Sequence, residues 1–271
     1  MSKKVRLDTL LVDRELIETR EKAKRTIMAG LVYSGTVRLE KPGIKVDEDI
    51  PLTVKGKAIP YVGRGGLKLE KALKVFNLDM TDKIMLDVGS STGGFTDCAL
   101  QHGASLSYAI DVGYNQLDWK LRNDDRVIVM ERTNFRYVTK DMLEYGDPNF
   151  ASVDVSFISL KLILPVLKTL LLQKSKVVAL IKPQFEAGRE QVGRKGIVRE
   201  PQTHQQVLSD VLTFAQVEGY RIIDLTYSPI TGGDGNIEFL ACLEVNDDKE
   251  AGNFAIDVEI EQVVKAAHNE L

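Results

Sequence analysis

The fold of this 271-residue chain is decided by one stretch, Ile84-Met85-Leu86-Asp87-Val88-Gly89-Ser90-Ser91-Thr92-Gly93-Gly94-Phe95. Its first three residues are apolar, which is typical of a strand buried on both faces. A glycine-rich loop follows, and a helix is predicted from Thr96 to His102, where Gly103 would end it. Strand, glycine-rich loop and helix in this order indicate an open α/β sheet that binds a ligand at the carboxyl end of the strand.

The spacing within this loop narrows the class of ligand. Gly89 is followed by Ser90-Ser91-Thr92-Gly93, so the dinucleotide pattern Gly-x-Gly-x-x-Gly is absent, and no Gly-Lys-Ser/Thr follows to make a P-loop. The next predicted strand, Leu106 to Ile110, ends at Asp111, 24 residues after Asp87. Because a carboxylate there can accept hydrogen bonds from both hydroxyls of a ribose, the sequence predicts a nucleoside-containing cofactor.

An acid before the glycine loop and another at the end of the next strand resemble the pattern of S-adenosylmethionine-dependent methyltransferases. The resemblance implies a Rossmann-like α/β fold and S-adenosylmethionine as cofactor. It places Asp87 near the amino-acid end of the cofactor, Asp111 on the ribose and Thr133-Asn134, after the predicted strand Val127 to Met130, at the adenine. The cofactor-binding residues implied are Asp87, Gly89, Ser90, Ser91, Thr92, Gly93, Gly94, Phe95, Asp111, Thr133, Asn134 and Asp154.

Four charged residues stand at the ends of predicted elements. Asp154 and Lys182 close two apolar strands, Glu238 begins a late strand, and Lys68 lies at the head of a predicted helix. Each alone is compatible with an ordinary surface charge or strand-end cap. Doubly wound sheets, however, carry their chemistry where the strands end, so the set Lys68, Asp154, Lys182 and Glu238 is predicted to be catalytic.

The first 59 residues differ in charge from the remainder. They contain 13 Lys and Arg against 9 Asp and Glu, whereas the rest of the chain contains 23 against 30. Leu7, Leu10 and Leu11 have helical spacing, and a second helix is predicted between a Thr19 cap and Gly30. A short hairpin around Ser34-Gly35 and a strand from Ile50 to Val54 follow. A small basic module on an acidic chain indicates an anionic partner.

This module resembles the alpha-L RNA-binding motif in Arg6-Leu7-Asp8, Thr19 to Ala23, Ile27, Gly30 to Val32 and Asp49-Ile50. The resemblance implies that basic side chains contact structured RNA, with Arg20, Lys24 and Arg25 as the leading candidates. A second basic segment, Arg189 to Arg199, contains Gly193 and Gly196 and follows Gly188, and it is predicted to be a mobile RNA clamp. The RNA-binding residues expected are Arg6, Arg20, Lys22, Lys24, Arg25, Arg64, Arg189, Arg194, Lys195 and Arg199.

The Lys–Asp–Lys–Glu set resembles the ribose 2′-O-methyltransferases of the FtsJ class. Together with the alpha-L module and the runs Tyr61 to Lys68, Asp87 to Thr96 and Lys182 to Glu186, it resembles the TlyA, or hemolysin A, family in particular. That resemblance implies methylation of cytidine in ribosomal RNA. It also implies a mostly parallel seven-stranded sheet after a small α+β domain. We expect an RNA-binding domain at 1–59, a linker at 60–63, a methyltransferase domain at 64–248 and a tail with an amphipathic helix, Ala255 to Leu271, at 249–271.

The chemistry of such a site follows from these residue types. A ribose hydroxyl must lose its proton as it attacks the cofactor's methyl group in line, and the protein supplies positioning and proton transfer. Lys182, buried beside Lys68, could accept that proton, while Asp154 and Glu238 would orient Lys182 and hold the hydroxyl. No metal is required.

Composition excludes several other classes. Only Cys98 and Cys242 are present, which excludes a disulfide framework and favours a reducing, cytoplasmic location. The histidines are scattered, so no zinc site is expected, and no signal peptide or membrane segment is apparent, against a pore-former. An amino-methylating enzyme would have a Pro-Pro-aromatic motif after Asp154, and a cytosine-carbon enzyme would need a cysteine there. A non-catalytic assembly factor that binds ribosomal RNA or subunits stays open as the alternative, as does the oligomeric state.

Overall fold

The structure of the chain is a computed structural model that describes residues 3–28, 30–55, 59–232, 235–246 and 256–271. Two compact units are present, Met1–Arg64 and Gly65–Leu271. The expected domain end at residue 248 and Ala255, the expected start of the tail helix, lie outside the described residues.

The first unit packs two helices with short strands. Helix α2 begins where Thr19 Oγ1 accepts the N–H of Lys22 at 3.2 Å, and Gly30 follows it with a φ of +72°. Leu7, Leu11 and Ile27 are fully buried in its core. The elements are β1 (Lys4–Arg6), α1 (Leu7–Asp13), α2 (Arg20–Met28), β2 (Val32–Ser34), β3 (Val37–Arg38), β4 (Lys45–Asp47) and β5 (Thr53–Val54).

The strands of this unit form two small sheets. Strand β2 pairs antiparallel with β3, as the predicted hairpin requires, and on its other side with β5. A pairing between β1 and β4 was not predicted, because three residues on either side of two helices carry no periodic signal.

The second unit is built on one seven-stranded sheet. Its elements are α3 (Gly66–Val75), β6 (Ile84–Val88), α4 (Gly94–Gln101), β7 (Leu106–Ile110), α5 (Trp119–Arg122), β8 (Val127–Met130), β9 (Phe150–Val153), α6 (Leu164–Leu170), β10 (Lys176–Ile181), α7 (Pro183–Glu186), α8 (Pro201–Val217), β11 (Tyr220–Tyr227), β12 (Phe239–Val245) and α9 (Ile256–Glu270).

The strand order is β11-β12-β10-β9-β6-β7-β8. Neighbouring strands from β10 to β8 are parallel, and β12 runs antiparallel to both β10 and β11. The predicted mostly parallel seven-stranded sheet is therefore confirmed. The strand order reverses between β6 and β9, so a crevice opens at the carboxyl ends of these two strands, which is where such sheets bind ligands.

Several element boundaries differ from the prediction: β5 covers only Thr53–Val54, and β12 begins at Phe239 and not at Glu238. Strand β6 continues through Asp87 and Val88, because both residues have register partners in β7 and in β9. Helix α4 begins at Gly94, two residues earlier than predicted. The loop between them is accordingly shorter, and Asp87 lies within the sheet.

The antiparallel strand β12 has a direct consequence for the site. Its first residue, Phe239, pairs with Ile181, the last residue of β10. Glu238 and Lys182 therefore flank the same paired position at one edge of the sheet, although Glu238 precedes a strand and Lys182 follows one. None of the helices within the described ranges has the length and apolar character that crossing a bilayer requires.

Candidate active site

The glycine-rich loop is held between the ends of two strands. The N–H groups of Gly89 and Ser90 both donate to the carbonyl oxygen of Ile110, at 2.9 and 3.1 Å. Gly89 has a φ of +86°, and a Cβ there would lie 2.4 Å from the carbonyl oxygen of Asp154. Any other residue at Gly89 would be disfavoured for two reasons: its backbone is left-handed, and its Cβ would clash with the backbone at the end of β9.

Asp87 anchors this loop from below. Its side chain is fully buried, with Oδ2 accepting from the N–H and hydroxyl of Thr96 at 3.1 and 2.7 Å and Oδ1 accepting from the Ser152 hydroxyl at 2.8 Å. Burial raises the pKa of Asp87 to about 6, although these hydrogen bonds oppose the rise. The sequence analysis placed Asp87 near the amino-acid end of a cofactor, and in the structure its carboxylate ties β6 to α4 and β9.

A cavity of about 400 Å³ opens above the loop at the carboxyl ends of β6, β7 and β9. This volume falls within the range of small-molecule sites. Most of its wall is apolar, with a few convergent polar groups. It is lined by Val88, Gly89, Ser91, Ile110, Asp111, Val112, Gln116, Thr133, Asn134, Phe135, Arg136, Asp154, Val155, Ser156, Phe157, Ile158 and Ile163.

Half of the twelve predicted cofactor residues line this cavity: Gly89, Ser91, Asp111, Thr133, Asn134 and Asp154. Asp111 is oriented by its own chain, since its two carboxylate oxygens accept from the N–H groups of Ser91 and Gly113 at 2.8 and 2.7 Å. Each oxygen keeps a second lone pair for a ligand hydroxyl. The other six, Asp87, Ser90, Thr92, Gly93, Gly94 and Phe95, do not border the cavity and shape the loop and the start of α4.

All four predicted catalytic residues meet beside the cavity. Lys68 Nζ lies 2.7 Å from Glu238 Oε2 and 3.6 Å from Asp154 Oδ2, and Lys182 Nζ lies 2.5 Å from Asp154 Oδ1. Lys68, Lys182 and Glu238 are 5%, 8% and 2% exposed. We call these four residues the charged tetrad. Asp154 belongs to both the tetrad and the cavity wall, so the two features share one carboxylate.

Electrostatics hold the tetrad together. Burial opposes ionisation of Asp154, but the two lysine ammonium groups outweigh it and lower the pKa of this carboxyl below its ordinary value. Two carboxylates between two ammonium groups give no net charge, which is the condition for burying charged groups at tolerable cost. Removal of one member would leave an unpaired buried charge.

Several residues that the prediction did not single out complete the site. Ser156 Oγ accepts from Lys182 Nζ at 3.0 Å, and Glu186 accepts from the Ser159 hydroxyl at 2.6 Å and the Leu160 N–H at 2.7 Å, which joins the loops after β9 and β10. Phe157 is 91% exposed at a φ of +63°, with its ring centroid 5.0 Å from that of Phe185. The only available signal was adjacency to Asp154 and Lys182 in sequence.

The basic residues of the first unit differ in how they are held. Arg6 makes two hydrogen bonds to the fully buried Asp8, at 3.0 and 2.9 Å, and Arg20 Nε contacts the same carboxylate at 3.1 Å. The hydrogen bond from Arg6 is the main cause that lowers the pKa of Asp8 to about 2. Two half-exposed guanidinium groups are therefore fixed side by side. Lys22 and Lys24 instead form exposed pairs, with Glu18 just before the helix and with Glu21 in its first turn.

The remaining expected RNA contacts lie elsewhere. Arg25 belongs to α2, and Arg64 is the partly buried last residue of the first unit. Four are exposed on the segment between α7 and α8: Arg189, Arg194, Lys195 and Arg199. We call residues 189–199 the basic loop. It contains two single turns of 3-10 helix, Arg189–Gln191 and Arg194–Gly196.

Comparison with known proteins agrees with this geometry. A family model for FtsJ-like methyltransferases matches residues 61–245, and one for the S4 domain matches residues 5–49. The chain is 63% identical to the Bacillus subtilis protein YqxC, named as an rRNA methyltransferase, over 100% of this chain and 96% of that protein. It is 39% identical to the Mycobacterium tuberculosis 16S/23S rRNA (cytidine-2′-O)-methyltransferase TlyA, over 92% and 93% of the two chains.

A solved structure is also similar. The protein from Streptococcus thermophilus that carries the name hemolysin is 54% identical, with a TM-score of 0.79, and the match covers 100% of this chain and 98% of that one.

The buried Asp87 predicts a pH dependence of stability. In the unfolded chain this carboxyl has an ordinary pKa near 3.8, and in the folded protein about 6. As the pH rises from 4 to 6, the unfolded state loses this proton first, so the free energy of unfolding falls by about 2 kcal/mol on account of Asp87 and levels off above that pH. In Asp87→Asn this contribution is absent, while the amide can still bond to Thr96 and Ser152.

Urea unfolding of both proteins between pH 4 and pH 7 measures this contribution. The stability of the native chain relative to Asp87→Asn should decrease steadily across the interval. Parallel stability curves for the two proteins would contradict the assignment.

Proposed function

The chain belongs to the FtsJ-like methyltransferase family, and on that premise we propose that it methylates the ribose 2′-hydroxyl of cytidine in ribosomal RNA, with S-adenosylmethionine as methyl donor. The observation that carries the proposal is the position of Asp154. This carboxylate lies at once in the wall of a nucleoside-sized cavity and in contact with the buried Lys182. A methyl donor in the cavity would thereby lie next to a group able to transfer a proton.

The residues of the cavity fit the proposed cofactor. Asp111 presents two oriented oxygens to ribose hydroxyls, and the apolar wall formed by residues such as Ile110 and Phe135 suits an adenine ring. Gly89 lets the backbone approach a ligand without a side chain. When bound, S-adenosylmethionine supplies an electrophilic methyl group on a sulfonium.

The tetrad fits the proton transfer that the reaction needs. In its neutral form Lys182 offers a lone pair at Nζ that accepts the proton of the 2′-hydroxyl as the oxygen attacks. Asp154, at 2.5 Å, stabilises the ammonium that results, and Ser156 helps to fix the direction of Nζ. Lys68 holds Asp154 and Glu238 in place. Lys182 thus carries the proton, Asp154 stabilises the resulting ammonium, and Lys68 with Glu238 fixes the position of Asp154.

Recognition of RNA is supported by features in both units. The guanidinium groups of Arg6 and Arg20 are both held by the buried carboxylate of Asp8. Two fixed guanidinium groups side by side can donate hydrogen bonds to one phosphate. In the second unit, the exposed ring of Phe157, which lies against Phe185 in the loop after Lys182, offers a face on which an unstacked base can lie. The first unit would supply affinity and target choice, and the second the chemistry.

Cofactor binding is tested by Asp111→Ala. Loss of the two oriented acceptors should weaken binding of S-adenosylmethionine by roughly 1 to 3 kcal/mol, measured by isothermal titration calorimetry. The exposed Asp125, outside the cavity, provides the control variant Asp125→Ala, which should bind as the native protein does. Unchanged affinity in Asp111→Ala, or binding of NAD in place of S-adenosylmethionine, would refute the proposed cofactor site.

The role of Lys182 is tested by two substitutions. Lys182→Ala should reduce methyl transfer to ribosomal subunits by about 100-fold or more, because the proton acceptor is lost. Lys182→Arg should fail as well, since a guanidinium does not release its proton at working pH. Cofactor affinity should change little, because Lys182 does not border the cavity.

A matched control lies on the same strand. Lys176 begins β10 and is ion-paired with Glu244, so Lys176→Ala changes a lysine at the opposite end of the strand and should leave turnover unchanged. An active Lys182→Arg variant would assign proton transfer to another residue.

The paired arginines of the first unit predict a salt effect. Arg6→Ala and Arg20→Ala, made singly so that Asp8 keeps one partner, should each weaken binding to ribosomal RNA and flatten the salt dependence by about one unit of slope. Lys174→Ala removes one exposed positive charge from the second unit and is the charge-matched control. Equal slopes for the native protein and both arginine variants, in filter binding from low to moderate salt, would contradict the proposed contacts.

A further inference from the structure

Asn236 connects the basic loop to the tetrad. It lies two residues before Glu238 and is only 2% exposed. Its Oδ1 accepts from the N–H of Val198 and its Nδ2 donates to the carbonyl oxygen of Gly196, both at 2.9 Å. One side chain therefore bonds to two backbone groups of the basic loop, about 40 residues away in sequence.

The segment that carries Asn236 is itself fixed against the tetrad. The carbonyl oxygen of Asn236 accepts from the N–H of Gly232 at 2.8 Å, and the carbonyl oxygen of Glu238 accepts from the N–H of Ser228 at 2.8 Å. A Cβ on Gly232 would lie 2.6 Å from Glu238 Oε1, so the backbone of Gly232 lies directly against the tetrad carboxylate. The backbone of Asn236 is therefore held in a fixed position relative to Glu238.

The loop that Asn236 holds needs such a support. Lys195 has a φ of +68°, outside the helical region, and its neighbours close a tight turn in which Gly193 donates to Ile197 at 3.0 Å and Gly196 to Gly193 at 3.1 Å. The basic side chains Arg194 and Lys195 point from this turn into solvent. A glycine-containing turn with long charged side chains has little apolar burial of its own, so specific hydrogen bonds determine where it lies.

We propose that Asn236 is a positioning residue that sets the basic loop at a fixed distance from Glu238 and Lys182. RNA phosphates bound by Arg194 and Lys195 then present the target ribose to the tetrad. This inference rests on the proposed function for its RNA ligand, whereas the clamp itself is a property of the chain. Within the part of the chain that the structure describes, the side-chain hydrogen bonds of Asn236 reach neither the cavity wall nor the tetrad side chains, so Asn236 acts through the loop.

Limited trypsin digestion of the native full-length chain tests the clamp without cofactor or RNA. Trypsin cleaves after Arg189, Arg194, Lys195 and Arg199, and cleavage requires the loop to open. In Asn236→Ala we expect cleavage within the basic loop to be about tenfold faster or more, because two hydrogen bonds are lost. Asn149→Ala is the matched control: its amide oxygen also accepts a backbone N–H, from Ile84 at 3.0 Å, at the other end of the sheet.

Steady-state kinetics test the positioning role. In Asn236→Ala the KM for ribosomal subunits should rise about tenfold, whereas kcat and the affinity for S-adenosylmethionine should change less than threefold. Asn236→Asp, which keeps the acceptor for Val198 but loses the donor to Gly196, should lie between the native protein and Asn236→Ala in both cleavage rate and KM.

The outcomes separate this inference from the proposed function. Cleavage at the native rate in Asn236→Ala, or a loss confined to kcat or to cofactor affinity, would overturn the role of Asn236. If the native protein methylates no RNA, the proposed function fails. The cleavage rate and the affinity for ribosomal RNA, measured by filter binding, would still decide whether Asn236 sets the loop.

Discussion

Two lysine ammonium groups are buried side by side at one edge of the sheet, and this arrangement is possible only because Asp154 lies between them and Glu238 lies against one of them. Neither lysine could remain charged and buried alone, since the cost of removing an unpaired charge from water is several kcal/mol. The requirement dictates where two strands end and where a third strand and a helix begin. Strands β9 and β10 must finish, and the antiparallel β12 must begin, at the same level, with Lys68 of α3 reaching that level as well.

The same constraint joins the cavity to the chemistry. Asp154 follows β9 immediately, next to the point where the strand order reverses and the crevice opens. Gly89 packs on the carbonyl oxygen of Asp154, so the glycine-rich loop and the tetrad share one fixed piece of backbone. Asp87 supports the loop from inside the sheet, which explains why a carboxylate is retained where its burial raises its pKa. In the proposed function, binding of the cofactor and orientation of Lys182 as the proton acceptor would both follow from this single local geometry.

Much of this could be predicted from sequence because the decisive signals are local. The glycine loop, the apolar strands and the polar residues at their ends each occupy a few consecutive positions, so the fold class and the four members of the tetrad could be inferred. The direction in which Asp87 points could not, because it depends on strand register on both sides of β6. The hydrogen bonds of Glu186 and Asn236 were also inaccessible, since they join segments about 26 and 40 residues apart whose proximity is set by the complete sheet.

The central claim is that a methyl group passes from S-adenosylmethionine to a ribose oxygen of ribosomal RNA. Its most direct test uses S-adenosylmethionine labelled in the methyl group, the native protein, and ribosomal subunits from a strain that lacks the gene. After digestion of the RNA to nucleosides, chromatography shows which nucleoside carries the label. The account predicts label in 2′-O-methylcytidine. Label in a base-methylated nucleoside, or no transfer to RNA at all, would contradict it.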